Sequence, residues 1–596
     1  MSRHPEAQAT PEPEAPAGDF APLVGACELE AYPGEVMERR IARGEFDPRG
    51  KRVQVLNPRG TPPAITLRAM APRPSSIEGR TVYLVDVRFM NGKAFLEEIE
   101  KAIAERFPGV KTVVRQKRGG YTEDDPQLWD EIAANAGLVV MAIGHCSTCA
   151  PAVAVHCMNL EERGIPTAPL VTGAFTDLVR AVAWKAGMPR LRFTFVPHPV
   201  SGKNAAQLRG YVDGPDPVSG QQVMDGILGA LTAPLTADES ERGQLDRPVP
   251  RMLGADSEDE LLAMFRDAWW SDGLPVVLPT PERVEAMLRG TKRSRHEVIG
   301  RMRPTQTQED WTYTVEQVAV NAVMAGAQPE HLPVILALAA SEVTALHSST
   351  SGFAAMAVVN GPIRHEIRMN AGVGALGPFN HANAAIGRAW SLLSRNLGGG
   401  AVPGITYLGT QGNPLNYSGL CFAENEERSP WEPLHVQKGF ARDQSTVSIF
   451  RGRTYSHMLE IRQKTWQQQL LNMVGGFTPV AGTGLTLLVE PLVARALKDR
   501  EGFESKEQLA RWFHENSKLP YETYWDYQLV VNYVEPLARK GVEPFASYLA
   551  QPPGSQVPRF ADPAKISTVV VGGEKNAYWF ATDFIHVATL PIDAWR

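Results

Sequence analysis

Cys146 and Cys149 stand in the run Gly144-His145-Cys146-Ser147-Thr148-Cys149, the stretch of the chain best placed for chemistry. They follow the apolar segment Leu138-Val139-Val140-Met141-Ala142-Ile143 and precede a helix-like segment, Pro151 to Arg163. At a strand end that opens a helix, terminal amides and the helix dipole favour the thiolate over the thiol. The thiolate is the reactive form. The second Cys of such a pair can resolve an oxidised or adduct-bearing first one. His145 and His156 lie close enough in sequence to assist proton transfer. Two blander readings stand beside this one. The pair could be structural, in a βα turn. Cys146, Cys149, His156 and Cys157 could also supply four zinc ligands. The usual structural zinc site places two separated ligand pairs on turns, however, and here the last two would sit on a helix. Thiol chemistry therefore takes precedence over zinc, and no metal ligand is assigned.

The surrounding elements are what must position these thiols. Thr81 to Val87 reads as a buried strand. Asn91 to Phe107 has helical spacing, with Phe95, Ile99, Ala102 and Ile103 on one face. Val110–Val114, Gly137–Ile143, Ile165–Val171 and Phe193–Val196 read as further strands, and Gln127–Ala136 and Phe175–Ala186 as helices between them. Strict βαβ alternation predicts an α/β fold, with a doubly wound parallel sheet at the N-terminal side. Ligands of such sheets bind beyond the carboxyl ends of the strands. Asp86 to Asn91, the 144 to 149 turn and Thr172-Gly173 should then converge, with Asn91 and Thr172 as substrate contacts.

The chain has 596 residues, 43% hydrophobic and 21% charged, with a formal net charge of −6. That length suits two or more cores. A mildly acidic chain with no long basic run gives nucleic-acid binding no electrostatic support. The five cysteines include a cluster at 146, 149 and 157, with Cys27 and Cys421 alone. This is no disulfide framework and fits a reducing compartment. Met1 to Phe20, rich in Pro, Glu and Ala, reads as a disordered tail rather than a signal peptide. The longest apolar run, Leu332 to Ala340, is too short to span a bilayer. A cytoplasmic location without membrane contact is expected. A homo-oligomer is an open arrangement.

Residues 1–75 read as tail and extended arm, 76–237 as the thiol domain, and 238–255 as a polar linker. Residues 256–596 read as a second, larger α/β or α+β domain. There, helices are expected at Ser257–Trp269, Pro281–Leu288, Val315–Ala325 and Leu332–Leu346, and strands at Leu485–Val489 and Ser567–Val571. Gly-rich loops fall at 398–400, 409–412, 475–476 and 482–484. Asn321, Asn360, Asn380, Asn383 and Gln411 sit in apolar or Gly-rich surroundings, where amides either tie loops together or line a polar pocket. The run Cys421 to Glu427 reads as an acidic loop. A desolvated Glu424 or Glu426 there could act as a general base, while Glu427 reads as solvated. Asn396 to Gly404 carries a weak phosphate-loop signal. His347, His365 and His381 read as structural.

Residues about 80 to 200 resemble the UGSC family, named for a selenocysteine-Gly-Ser-Cys motif that many members replace with a Cys form. The resemblance rests on Cys146-Ser147-Thr148-Cys149, on Leu160-Glu161-Glu162-Arg163-Gly164-Ile165-Pro166-Thr167 and on Val196-Pro197-His198-Pro199. It implies that Cys146 takes the selenocysteine position, with a redox or nucleophilic role, and Cys149 the closing Cys. This chain has Ser147 where the motif has Gly and Thr148 where it has Ser. Residues 256–596 resemble uncharacterised bacterial proteins in Asp272-Gly273-Leu274-Pro275-Val276-Val277, Val318 to Gly326 and Ala423 to Pro433, which implies no mechanism.

The reading that follows is a thiol-dependent enzyme, an oxidoreductase or reductive lyase acting on a small organic molecule. An external dithiol or thioredoxin-like reductant would restore the thiols, and no other cofactor is assigned. The alternatives are a cofactor-independent Cys-based isomerase or lyase, and a metal-binding or thiol-sensing module. A fusion of two units suggests one shared site, with Glu424 or Asn425, and Gln411, facing Cys146 from the second domain.

Overall fold

The computed structural model describes residues 33–303, 309–457, 465–479 and 484–596. The Met1–Phe20 tail, Cys27 and residues 482 and 483 lie outside them.

The N-terminal sheet is built from β1 (Thr81–Asp86), β2 (Lys111–Gln116), β3 (Leu138–Gly144), β4 (Thr167–Thr172) and β5 (Thr194–Val196). All neighbours are parallel and the order is β2-β1-β3-β4-β5. The intervening helices are α1 (Gly92–Arg106), α2 (Pro126–Ala134), α3 (Cys149–Glu162), α4 (Thr176–Lys185), α5 (Ala205–Asp213) and α6 (Val223–Thr232). Both faces of the sheet are covered, which is why its strands read as continuous apolar runs. Tyr83 and Val85 of β1 face α2, α3 and α4, while Val82 and Leu84 face α1, α5 and α6. The strand order reverses between β1 and β3. The cysteine turn follows β3, so it sits at the switch point, where doubly wound sheets leave an open crevice.

Gly144 allows this turn to close on α3. A Cβ there would lie 2.9 Å from the Ala150 Cα and 2.9 Å from Val171. The other end of α3 is anchored by a fully buried ion pair, Arg73 to Glu161 at 2.7 Å. The same carboxylate accepts from the amides of Ala71 and Thr167 and from the Thr167 hydroxyl. The extended arm therefore pins the helix that the thiols open.

The polar segment after α6 is not a free tether. Gly243–Leu245 pairs antiparallel with Ile65–Leu67, and Met252–Ala255 with Val53–Leu56. Between these ribbons Arg247 is buried against Glu309 at 2.7 Å and stacks on Trp184 and Trp311.

The second unit holds two mixed four-stranded sheets. In the first, Ala354–Asn360 lies between Leu420–Ala423, parallel, and Thr446–Gly452, antiparallel, with Ile585–Pro591 at the edge. The second joins Leu485–Val489 to Ile566–Val570, parallel, and to Trp579–Thr582. One face of the first sheet carries the helices 315–324, 332–340 and 381–398. Its other face, with Met356, Val358 and Phe450, meets Leu488 and Val569 of the second sheet. Two local expectations are corrected. The helix expected over Leu332–Leu346 ends at Ala340. The run taken as a loop from Cys421 begins as a buried strand, because Leu420-Cys421-Phe422-Ala423 finds a parallel partner in 354–360. Among the described residues no helix is long and apolar enough to cross a membrane.

Removing one member of a buried ion pair strands the other charge, at a cost of about 3–5 kcal/mol. Arg73→Met should lower unfolding free energy by about that much in urea titration at pH 7. A loss below about 1 kcal/mol would show that Glu161 does not depend on it.

Candidate functional site

The thiols are arranged unequally. The two sulfurs are 2.9 Å apart and both cysteines are free. Cys146 Sγ accepts from the Cys149 amide at 3.2 Å, at the first turn of α3. The Cys149 side chain, the largest influence, and the amides of Cys149 and Thr148 draw the Cys146 thiol below its ordinary pKa against the opposing effect of burial. Cys149 is fully buried, and burial together with the neighbouring sulfur drives its thiol well upward. The amides of His145 and Cys146 donate to Cys149 Sγ at 3.2 and 3.1 Å but do not reverse that direction. The pair is thus ordered so that Cys146 ionises before Cys149, whose S–H can then donate to it.

An arc of seven rings surrounds the turn: Tyr533, Tyr121, Phe89, His145, His198, Phe175 and Tyr407, with successive centroids 4.5–6.4 Å apart. Five come from the N-terminal unit and the two ends from the second. Phe89 is presented by the turn after β1, where Asp86 accepts from the Arg88 amide at 2.8 Å and Arg88 and Asn91 adopt positive φ. Tyr121 rides a loop gathered around Lys117, whose ammonium donates to the carbonyls of Arg118, Gly120 and Glu123. Burial lowers that lysine's pKa to about 8. Burial raises the phenols of Tyr121, Tyr407 and Tyr533, and the cysteine charge nearby adds to this, so all three remain protonated donors at neutral pH.

The histidines divide their roles by hydrogen bonding. His145 Nε2 accepts from the amides of Val200 at 3.0 Å and Ser201 at 3.4 Å. Burial, then His198, lowers its pKa to about 4. It is a neutral ring with its lone pair already used, so the expected proton transfer by His145 does not fit. His156 donates from Nε2 to the Tyr121 carbonyl at 2.9 Å and packs on Trp129, which makes it an anchor for the Tyr121 loop. His198 Nδ1 lies 3.1 Å from the Thr172 hydroxyl, which donates to Gly144 O at 3.4 Å. The hydroxyl can then only accept from His198, which leaves His198 Nε2 as the acceptor nitrogen. His198 is exposed, and burial of part of its ring lowers its pKa. The Val196-Pro197-His198-Pro199 run at the end of β5 was the available signal for this residue.

Thr172 is thus brought to the site, as the orienting partner of His198. Asn91 stands at the N-cap position of α1 without a side-chain capping bond, and its side chain donates to Lys203 O at 2.6 Å, holding the turn that carries Phe89. Gln411 is exposed, in a loop whose Gly409 and Thr410 amides donate to Ser349 O and Thr350 O, both at 2.8 Å.

Glu424 and Asn425 do not meet the cysteines. Glu424 is buried with Lys506 at 2.8 Å, Asn360 at 2.7 Å and the Leu434 amide at 2.7 Å. Asn425 bonds to Val570 O and Gly572 O. All these partners belong to the second unit. A strand end satisfied by its own neighbours replaces the expected loop. Glu426 likewise accepts from Asn360 at 2.9 Å, and Glu427 is paired with Arg364, which lowers its pKa to about 2. Asn321 donates to Pro58 O, Asn380 caps the helix 381–398 by accepting from the Asn383 amide, and Asn383 donates to Ala375 O. Among the described residues no group of three or more His, Cys, Asp or Glu could hold a metal ion.

Other residues of the second unit reach the turn. The Ser147 hydroxyl accepts from the Thr350 amide at 2.7 Å and lies 3.4 Å from the Thr350 hydroxyl. Thr148 is within hydrogen-bonding reach of the Tyr533 hydroxyl. Tyr407 donates to Ala174 O at 3.0 Å. Asn532 bonds the Tyr121 hydroxyl. Asn532 and Tyr533 belong to a π-helical turn, Val530–Val534, a distortion common at functional sites. Ser147 and Thr148 are also the two positions where the chain departs from the Gly-Ser of the selenocysteine motif.

Fold and turn together define a doubly wound domain with a paired-thiol turn at its switch point. Residues 54–217 match the model of the UGSC family. The match does not reach residues 256–596. No curated protein and no solved structure matches the chain.

A hydrogen bond to a charged group contributes about 1.5–3 kcal/mol, or roughly one to two pKa units. Cys149→Ala should therefore move the midpoint of Cys146 alkylation by iodoacetamide upward by about that much, read by peptide mass spectrometry across pH. An unchanged midpoint would mean that Cys149 does not stabilise the thiolate.

Proposed function

We propose that the protein is a thiol-dependent enzyme that reduces or reductively cleaves a small organic molecule. The observation that supports it most is the 2.9 Å pairing of a lowered Cys146 thiol with a raised Cys149 thiol. A thiolate attacks and a neighbouring protonated thiol resolves. Cys146 Sγ bonds to the substrate's electrophilic atom and displaces a leaving group, which departs with its electron pair. Cys149 then gives up its proton and attacks Cys146 Sγ. The S–S bond forms, the bond to substrate breaks, and the substrate fragment keeps the pair and gains a proton. Two electrons pass from the dithiol, and an external dithiol or thioredoxin-like protein returns them.

His198, fixed through Nδ1 by Thr172, is the ring we assign to carry protons through Nε2. The ring arc favours a flat, uncharged group on the substrate, since aromatic faces stack on such groups and exclude water. An isomerase with two thiols acting from opposite faces of a carbon has less support, because here both sulfurs share one side at 2.9 Å.

Mild peroxide should produce an intramolecular 146–149 disulfide. Cys149→Ser should instead retain a sulfenic acid or substrate adduct on Cys146, visible as an intact-mass increase. Cys146→Ser should lose turnover with little change in melting temperature. A Cys149→Ser enzyme turning over at the wild-type rate, with nothing retained, would remove the resolving step.

A further inference from the structure

The second unit contains a cavity of about 750 Å³, lined by His347, Ser348, Arg301, Arg303 and Arg451 among others. That volume lies within the range of small-molecule sites, roughly 300–1,000 Å³. Arg451 projects from the strand Thr446–Gly452 and is half-buried. Its polar neighbour is His347 Nδ1 at 3.5 Å. Among the described residues no carboxylate pairs with Arg451 and no carbonyl accepts from it. A structural arginine at such depth behaves differently in this molecule. Arg192, for example, donates to Gly229 O at 3.0 Å and Ala233 O at 2.8 Å, and pairs with Glu239.

The nearby charges do not supply the missing counter-ion. Asp310 is bonded to Arg303 at 2.7 Å, and Glu342 accepts the Arg301 amide at 3.0 Å. His347 is held neutral, its pKa lowered to about 4 by burial and then by Arg451 itself. A partly desolvated guanidinium without a counter-ion is unfavourable, whereas its planar fork matches an oxyanion with two coplanar oxygens.

We propose that this cavity binds a small molecule through a carboxylate or phosphate group seated on Arg451. Arg301, whose side chain carries no ion pair among the described residues, adds positive charge at the lining. One loop links this lining to the thiol turn. His347 and Ser348 begin the loop whose Thr350 amide bonds Ser147.

Isothermal titration of the full-length protein with sodium phosphate and with sodium malonate, each against sodium chloride at matched ionic strength, tests this. At least one probe should bind saturably at one site per chain. Phosphate alone would assign a phosphoryl ligand and malonate alone a carboxylate. Arg451→Gln should weaken that binding by about tenfold or more, while Arg303→Gln, already engaged by Asp310, should change it far less. Should Arg451→Gln fail to fold, Arg451→Lys takes its place, because it keeps the charge but loses the fork. No saturable binding of either probe to the wild-type protein would overturn the site. Unchanged affinity in the Arg451 variant would overturn it equally.

Discussion

The contact between the Cys146 and Cys149 sulfurs, 2.9 Å long, is the constraint around which the N-terminal unit is arranged. Two thiols at that distance in a buried turn cannot both ionise, because the second charge would face the first at low dielectric. The fold decides which one does. Cys146 sits at the edge of the turn, with amides of the first helical turn aimed at its sulfur. Cys149 lies inside, under the sheet, and keeps its proton. Everything else at the site preserves this asymmetry. Gly144 lets β3 run close to α3, and the buried Arg73–Glu161 pair fixes the far end of that helix. His145 stays neutral and so brings no cation that would depress both thiols alike.

The second unit completes the wall around this turn. Its three contributions come from separate places: the loop at Thr350, the loop at Tyr407 and the π-helical turn at Asn532 and Tyr533. Each meets the N-terminal unit at a point that shapes the cleft. Ser147 and Thr148 are the contact points on the motif itself. A glycine at position 147 would leave the Thr350 amide without its acceptor. Ser147 and Thr148 therefore read as part of the surface on which the second unit docks, with Cys146 and Cys149 flanking them.

The strands, helices and parallel order of the N-terminal unit were legible in the sequence because both faces of its sheet are buried. A doubly covered strand is a continuous apolar run, as in Leu138 to Ile143, and the intervening segments carry helical spacing. The thiol turn was legible for the same reason: it closes the most apolar of these strands. The aromatic arc was not. Phe89, Tyr121, Tyr407 and Tyr533 stand far apart in sequence, each in a turn or loop with no motif around it, and three-dimensional convergence leaves no local pattern. Glu424 was misread because its polar followers, Asn425 to Glu427, resemble a solvated turn. The carboxylate is instead enclosed by Lys506 and Asn360, some 60 to 80 residues away in sequence. His198 carried a signal in its Pro-flanked run, but its role depends on Thr172 and Gly144, which no spacing rule connects to it.

The ionisation asymmetry of the two thiols is the claim on which the functional account stands. Thiolate absorbance near 240 nm, followed against pH in the reduced full-length protein and in Cys146→Ser, measures it directly. The account predicts one thiolate appearing below the ordinary thiol range of about 8.5 in the wild-type protein. It also predicts that this step is missing in Cys146→Ser. Absorbance that rises only above that range, or a low step that survives loss of Cys146, would contradict the account.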